Sequence, residues 1–261
     1  MTELEQAGRE TSSEELARRL AAAPAPFLQG ALENPSLTPA HILLCLKNPA
    51  ADGRFILRLT RNLDWMKVYE IRAAMVMHPR TPRILALNLA GRLWWRDLAR
   101  VSDSVGLAAG LRRAADRLLA LRMREMAVGE RIALARIAGR GIIAALRVDP
   151  DPAVIRTLLL NPRVVEEDVI RIATGRETPG AVIGALAESP RWACRPPVRK
   201  AIARHPATPL PAALRAVQGL STTALQDLLQ TPHLPTLVRV AASRLIESRR
   251  GPRPAVEALF H

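Results

Sequence analysis

Apolar residues return at intervals near 3.6 along most of the chain, in runs of about 9 to 16 residues, and no stretch sustains the alternation of a strand. The pattern predicts short helices throughout. They fall near residues 13–23, 39–47, 53–61, 68–77, 82–91, 94–101, 107–121 and 129–147. Helices 39–47 to 107–121 have counterparts 127 positions further on. Ser12, with Glu15 three residues later, has the spacing of a capping box for the first of them.

Proline punctuates the runs. Residues 78–82 read HPRTP and residues 205–209 read HPATP. A proline biases the residue before it away from the helical region, so His-Pro ends a helix, and an Asn in that place can also bond its own backbone. Thr81 and Thr208 are expected to cap the next helix, with Pro82 and Pro209 at its first position, where a missing N–H costs nothing. Thr38-Pro39 repeats the device, while Val165 replaces the Thr and is followed by Glu166, Glu167 and Asp168 in the dipole-favoured first turn.

The same offset of 127 aligns Asn34-Pro35 with Asn161-Pro162, Trp65 with Trp192, Arg72 with Arg199 and Arg112 with Arg239, without a gap. About a quarter of the positions in 31–121 and 158–248 are identical. The reading is an all-α chain, an α-solenoid of short antiparallel helix pairs built by internal duplication. Residues 1–30 would be a capping segment with one helix, 31–121 the first copy, 122–157 a basic helical connector, 158–248 the second copy and 249–261 a tail.

The wording VDPDPAVIR (148–156), LRRAADRLL (111–119) and VRVAASRLI (238–246) resembles HEAT-type repeats, and the Asn-Pro and Thr-Pro turns resemble leucine-rich-repeat-variant units. The resemblance covers most of 31–248. It implies an α-solenoid with Asp149, Asp151, Arg112 and Arg239 at inter-repeat ladder positions. Repeat lengths here are irregular, and the cysteine cluster of some leucine-rich-repeat-variant proteins is missing from the sequence, so an iron–sulfur function does not carry over.

Charge changes the picture next. The net charge is +14 with a pI near 11.4, which favours an anionic partner. Residues 112–147 hold nine arginines against Asp116, Glu125 and Glu130. On a helical wheel Arg113, Arg117 and Arg124 fall within roughly 40° of each other, opposite an apolar stripe. Together with Arg131 they are candidates for an anion-binding stripe. Aromatic residues are only 3% of the chain, so few rings are available for stacking on bases.

Other residues carry less chemistry. Cys45 and Cys194 stand apart without ligand partners and read as buried small hydrophobes. His78 and His205 share a turn role, His41, His233 and His261 stand alone, and no metal or other cofactor is expected. Trp65 and Trp192 read as packing residues. Trp94 and Trp95 differ, because the second copy has Ser221 and Thr222 there; with Arg96 they form a candidate contact surface.

No catalytic motif is present in the sequence, and the chain reads as a non-enzyme. One family of DNA alkyl-base glycosylases is also built of HEAT-like helices and uses Trp and Asp on a concave basic surface. Trp95 and Asp97, two residues apart, fall on different sides of a helix, so that activity does not carry over. The expectation is a cytoplasmic, monomeric scaffold or adaptor, without a membrane span, that binds an acidic protein or peptide. The alternative is a DNA- or RNA-binding module using the central arginines.

Overall fold

The computed structural model of the chain describes residues 2–232 and 234–250, and among them the regular structure is helical. The helices are α1 (Glu3–Glu10), α2 (Ser13–Arg19), α3 (Ala25–Ala31), α4 (Pro39–Lys47), α5 (Gly53–Leu59), α6 (Leu63–Lys67), α7 (Tyr69–Met77), α8 (Arg83–Ala90), α9 (Trp95–Asp103) and α10 (Ala109–Arg122). They continue with α11 (Val128–Ile137), α12 (Arg140–Leu146), α13 (Pro152–Leu160), α14 (Glu166–Thr174), α15 (Gly180–Ala187), α16 (Pro196–Arg204), α17 (Leu210–Gln218), α18 (Thr222–Leu229) and α19 (Thr236–Arg250). The chain divides into two compact units, residues 1–124 and 125–261.

Within each unit alternate helices are neighbours. In unit 1, α1 packs on α3 and α3 on α5, while α2 packs on α4, α4 on α7 and α7 on α9; α8 packs on α10. Unit 2 repeats this, α11 to α13 to α15 to α17 to α19 in one row and α14 to α16 to α18 in the other. Two rows joined by short turns are compatible with a helical repeat. The buried layer between them holds Phe27, Phe55, Ile56 and Met75 in unit 1 and Ile155, Ile183 and Trp192 in unit 2. Each such side chain contributes about 1.5–3 kcal/mol by leaving water.

Four features differ from the sequence reading. Residues 1–30 hold three helices instead of one. The first is closed by a capping box between Thr2 and Glu5. It lies directly on the third: a Cβ on Gly8 would strike the Phe27 carbonyl, and one on Gly30 the Glu5 carbonyl, so only glycine permits this crossing. Ser12 stands at the N-cap of α2, but its side chain makes no capping bond.

Next, Asn62 starts the short α6, its Oδ1 accepting from the Asp64 N–H at 2.9 Å. The helix expected over 129–147 breaks at Ala138-Gly139 into α11 and α12, and Asp151 caps a further helix, α13, by accepting from the Ala153 N–H at 2.8 Å. These three helices lie in unit 2. The bounds of α2, α4 and α7 stand 127 residues from those of α12, α14 and α16 at both ends.

Thr81 and Thr208 do not cap the helices that follow. Their hydroxyls donate backwards, Thr81 to the Met75 carbonyl at 2.5 Å and Thr208 to the Ile202 carbonyl at 2.7 Å, and Thr178 does the same to Ile172 at 2.9 Å. A hydroxyl spent on the carbonyls at the end of one helix is not free for the next, and the N-cap residues are Pro82 and Pro209. Thr38 behaves as expected, accepting from the His41 N–H at 3.4 Å. Cys45 is buried, which pushes its thiol up to about 12. Cys194 is exposed, contrary to expectation, because it sits in the turn after α15. No helix of the described residues is long and apolar enough to cross a membrane.

Candidate binding surfaces

The polar residues before proline form the frame that positions everything else. Asn34 is buried at the end of α3; its amide donates to the carbonyls of Gly8 at 3.0 Å and Thr11 at 2.8 Å, while its Oδ1 accepts from the Ser36 N–H at 2.8 Å. Asn161 makes the same three bonds 127 residues on, to Ala135, Ala138 and Arg163. Asn48 ties α4 to the end of α2 through Leu20 and Ala23, both at 2.8 Å. A carbonyl left bare at a buried helix end would cost about 1–3 kcal/mol, and these side chains satisfy it.

Histidine takes the same place in α7 and α16. Nδ1 of His78 accepts from the Arg80 N–H at 3.2 Å, and Nδ1 of His205 from the Ala207 N–H at 3.2 Å. Since Nδ1 of His205 accepts, its Nε2 carries the proton and donates to the Gly175 carbonyl at 2.9 Å. Burial, with the Arg80 charge beside it, holds the His78 pKa below the ordinary imidazole value. Both histidines therefore have the turn role expected of them. His41 is a buried capping partner of Thr38, and His233 and His261 lie outside the described residues.

The arginines of residues 112–147 separate into two kinds. Arg122 donates to the carbonyls of Gly91 and Leu93, closing the end of α8. Arg131 is held by Asp149 at 2.9 Å and by the Met126 carbonyl at 3.0 Å, and it belongs to unit 2. Arg140 and Arg147 both pair with the buried Asp168, at 2.5 and 3.2 Å. Burial raises the Asp168 pKa, but the Arg140 bond, the Val165 N–H and Arg147 outweigh it and leave that pKa lowered. Arg113, Arg117 and Arg124 are exposed and make no ion pair among the described residues. Of the expected stripe these three remain available, whereas Arg131 is a structural cation.

At the ladder positions, Asp149 also accepts from the Asp151 N–H at 2.9 Å, and Arg239 donates to the Leu229 carbonyl at 3.1 Å.

Trp94 and Trp95 open α9. Tyr69, the first residue of α7, stacks its ring on Trp94 with centroids 4.2 Å apart and planes 19° off parallel. Its hydroxyl accepts from the Trp94 N–H at 3.0 Å and donates to Asp97. Burial and the Asp97 carboxylate push the phenol pKa up, so the ring stays neutral and fixed. Trp94 is 66% exposed, one face against Tyr69 and the other open. Arg92 and Arg96 are exposed beside it, with the Arg96 guanidinium 5.2 Å from the Trp95 ring.

Unit 2 lacks this platform. Pro196 stands where Tyr69 does, and Ser221 replaces Trp94 and caps α18 by accepting from the Ala224 N–H at 3.2 Å. The surrounding scaffold is kept, because Arg72 donates to Met66 at 2.7 Å and its counterpart Arg199 to Ala193 at 2.9 Å. Tyr69 is the residue that sequence reasoning missed. Its signal was available in the offset of 127, which sets the chain's single tyrosine against a proline.

The two equivalent tryptophans also part company. Trp192 is buried, its indole N–H donating to the Leu159 carbonyl at 2.9 Å. Trp65 is half-buried beside an open groove of about 560 Å³. No group of three His, Cys, Asp or Glu side chains among the described residues could hold a metal ion. Comparison of the chain with protein-family models, curated proteins and solved structures finds no match.

Proposed function

We propose that the chain is a non-catalytic, cytoplasmic α-solenoid scaffold of two duplicated units that binds an acidic macromolecule, a protein segment, through unit 1. Duplication is supported by bonds that recur at the offset of 127. Arg122 reaches Gly91 and Leu93, and Arg249 reaches Gln218 and Leu220; Asn34 and Asn161 make the same three contacts. The HEAT-like wording is consistent with the same architecture.

One observation carries the binding reading: the exposed Tyr69–Trp94 stack, flanked by Arg92 and Arg96, occupies a place that unit 2 fills with an ordinary serine cap. Tryptophan is a poor N-cap, and a scaffold gains about 1 kcal/mol from serine there. A wide open aromatic face beside cations is instead the kind of anchor on which binding energy concentrates. The open indole face would also stack a base, which keeps single-stranded nucleic acid as the second reading.

The test is fluorescence anisotropy with a labelled peptide of alternating Glu and Gly around one Phe, the same peptide without Phe, and single-stranded and duplex DNA, from low to physiological salt. The Phe peptide should bind at physiological salt better than its control, and Trp94→Ala should remove that difference by weakening binding about tenfold or more. Tighter binding of single-stranded DNA, lost with Trp94→Ala and steeply salt-dependent, would move the assignment to nucleic acid.

A further inference from the structure

A second surface of unit 1 lies in the other row of helices. Five arginines, Arg54 and Arg61 from the α5 region, Arg83 of α8, and Arg113 and Arg117 of α10, are exposed. Between them stand three apolar side chains, Leu57 at 51% exposure, Ile84 at 77% and Leu121 at 64%. The helices adjoin: a Cβ on Gly53 at the start of α5 would lie 3.4 Å from the Arg80 carbonyl just before α8, and one on Gly110 of α10 would lie 3.2 Å from the Arg83 guanidinium. Within these three helices the single carboxylate is Asp116, which faces α9, where the Ser102 hydroxyl donates to it at 2.5 Å.

The scaffold does not require this composition. At the offset of 127, Arg54, Arg61, Arg83 and Arg113 become Ala181, Glu188, Leu210 and Val240, and only Arg117 keeps its charge, as Arg244. Leu57 and Ile84 become Gly184 and Pro211. The basic and apolar face is thus a property added to one unit.

We infer that the α5–α8–α10 face docks an acidic amphipathic helix of a partner protein. This deepens the acidic-protein reading and rests on it, but on a surface separate from Trp94. Charge complementarity selects an acidic partner, since five cations face solvent with no carboxylate among them. The interleaved Leu57, Ile84 and Leu121 select a protein over a nucleic acid, because phosphates give exposed aliphatic side chains nothing to bury against, whereas the apolar stripe of a helix does. Three neighbouring helices with axes about 8–10 Å apart span about 20–30 Å, the length of a helix of about 20 residues.

The probe is a labelled helical peptide of about 20 residues with Leu at i, i+3, i+4 and i+7, Glu on both flanks and no aromatic residue; its control has the same composition scrambled. At physiological salt the amphipathic peptide should bind the full chain about tenfold more tightly than the control or better. Leu57→Ser with Ile84→Ser should weaken it about tenfold, Arg113→Ala with Arg117→Ala likewise, and Trp94→Ala should leave it within about twofold. All four docking positions are exposed, so thermal melts of these variants should overlay that of the parent. Equal binding of both peptides would mean bare charge attraction and overturn the proposal. Loss with Trp94→Ala but not with the Leu57/Ile84 variant would overturn this surface while leaving the acidic-protein reading intact. Preferential binding of duplex DNA, weakened by the Arg variant alone, would overturn both.

Discussion

A single imidazole shows how tightly the turns are specified. Nδ1 of His78 must stay unprotonated to accept from the Arg80 N–H, and burial, with the Arg80 charge, favours that neutral form. Unfolded, the ring titrates near about 6.5, while folded its pKa is lower, so between the two values the unfolded chain binds more protons. Its contribution to stability is therefore whole above about pH 6.5 and is lost as pH falls through the folded pKa. His78→Asn keeps an acceptor two residues before the N–H, as Asn48 does for Ala50 at 2.8 Å, and cannot titrate. Urea unfolding at about pH 7.5 and about pH 5 should show the variant losing less stability than the parent across that interval. An equal loss in both would show that other groups set the acid sensitivity.

At the scale of one helix, the start of α9 separates stability from function. Trp94→Ser would install the cap that Ser221 gives α18, a gain of about 1 kcal/mol, and remove a stacked pair worth about 0.5–1.5 kcal/mol. The two nearly cancel, so denaturant midpoints should differ little from the parent, by less than about 1 kcal/mol, while binding of the Phe-bearing acidic peptide falls as for Trp94→Ala. A large destabilisation would mark Trp94 as packing and remove the reason to treat it as an anchor.

The same helices show what was readable beforehand. The bounds of α4 and α14 follow from proline and apolar spacing alone, because both act within one turn. What Thr81 bonds to, the break at Ala138-Gly139, and the α1–α3 crossing at Gly8 and Gly30 depend on a second helix, and local propensity carries no record of it. The candidate site divides likewise. Exposure of Arg113 and Arg117 follows from a helical wheel, whereas the capture of Arg131 by Asp149, 18 residues away in sequence, and the stack of Tyr69 on Trp94, 25 residues away, are tertiary facts.

Across the whole molecule the question is whether two units with one set of bonds also share one set of energies. Arg122 and Arg249 each close the end of a helix, α8 or α17, by donating to two carbonyls, where a cation also meets the negative end of the helix dipole. Replacing either with Ala leaves two partly buried carbonyls to water or to nothing, at about 1–2 kcal/mol. In a helical repeat, stability is close to a sum of local and nearest-neighbour terms, and these sites stand in separate units. Arg122→Ala and Arg249→Ala should therefore cost similar amounts, and the double variant their sum within about 0.5 kcal/mol, by urea unfolding. Unequal single costs would mean that duplicated bonds have come to do different work, as unit 1 already does at Trp94 and along α5, α8 and α10. A double variant costing far more than the sum would mean that the two halves unfold as one body, and the binding face of unit 1 could then be tuned from unit 2.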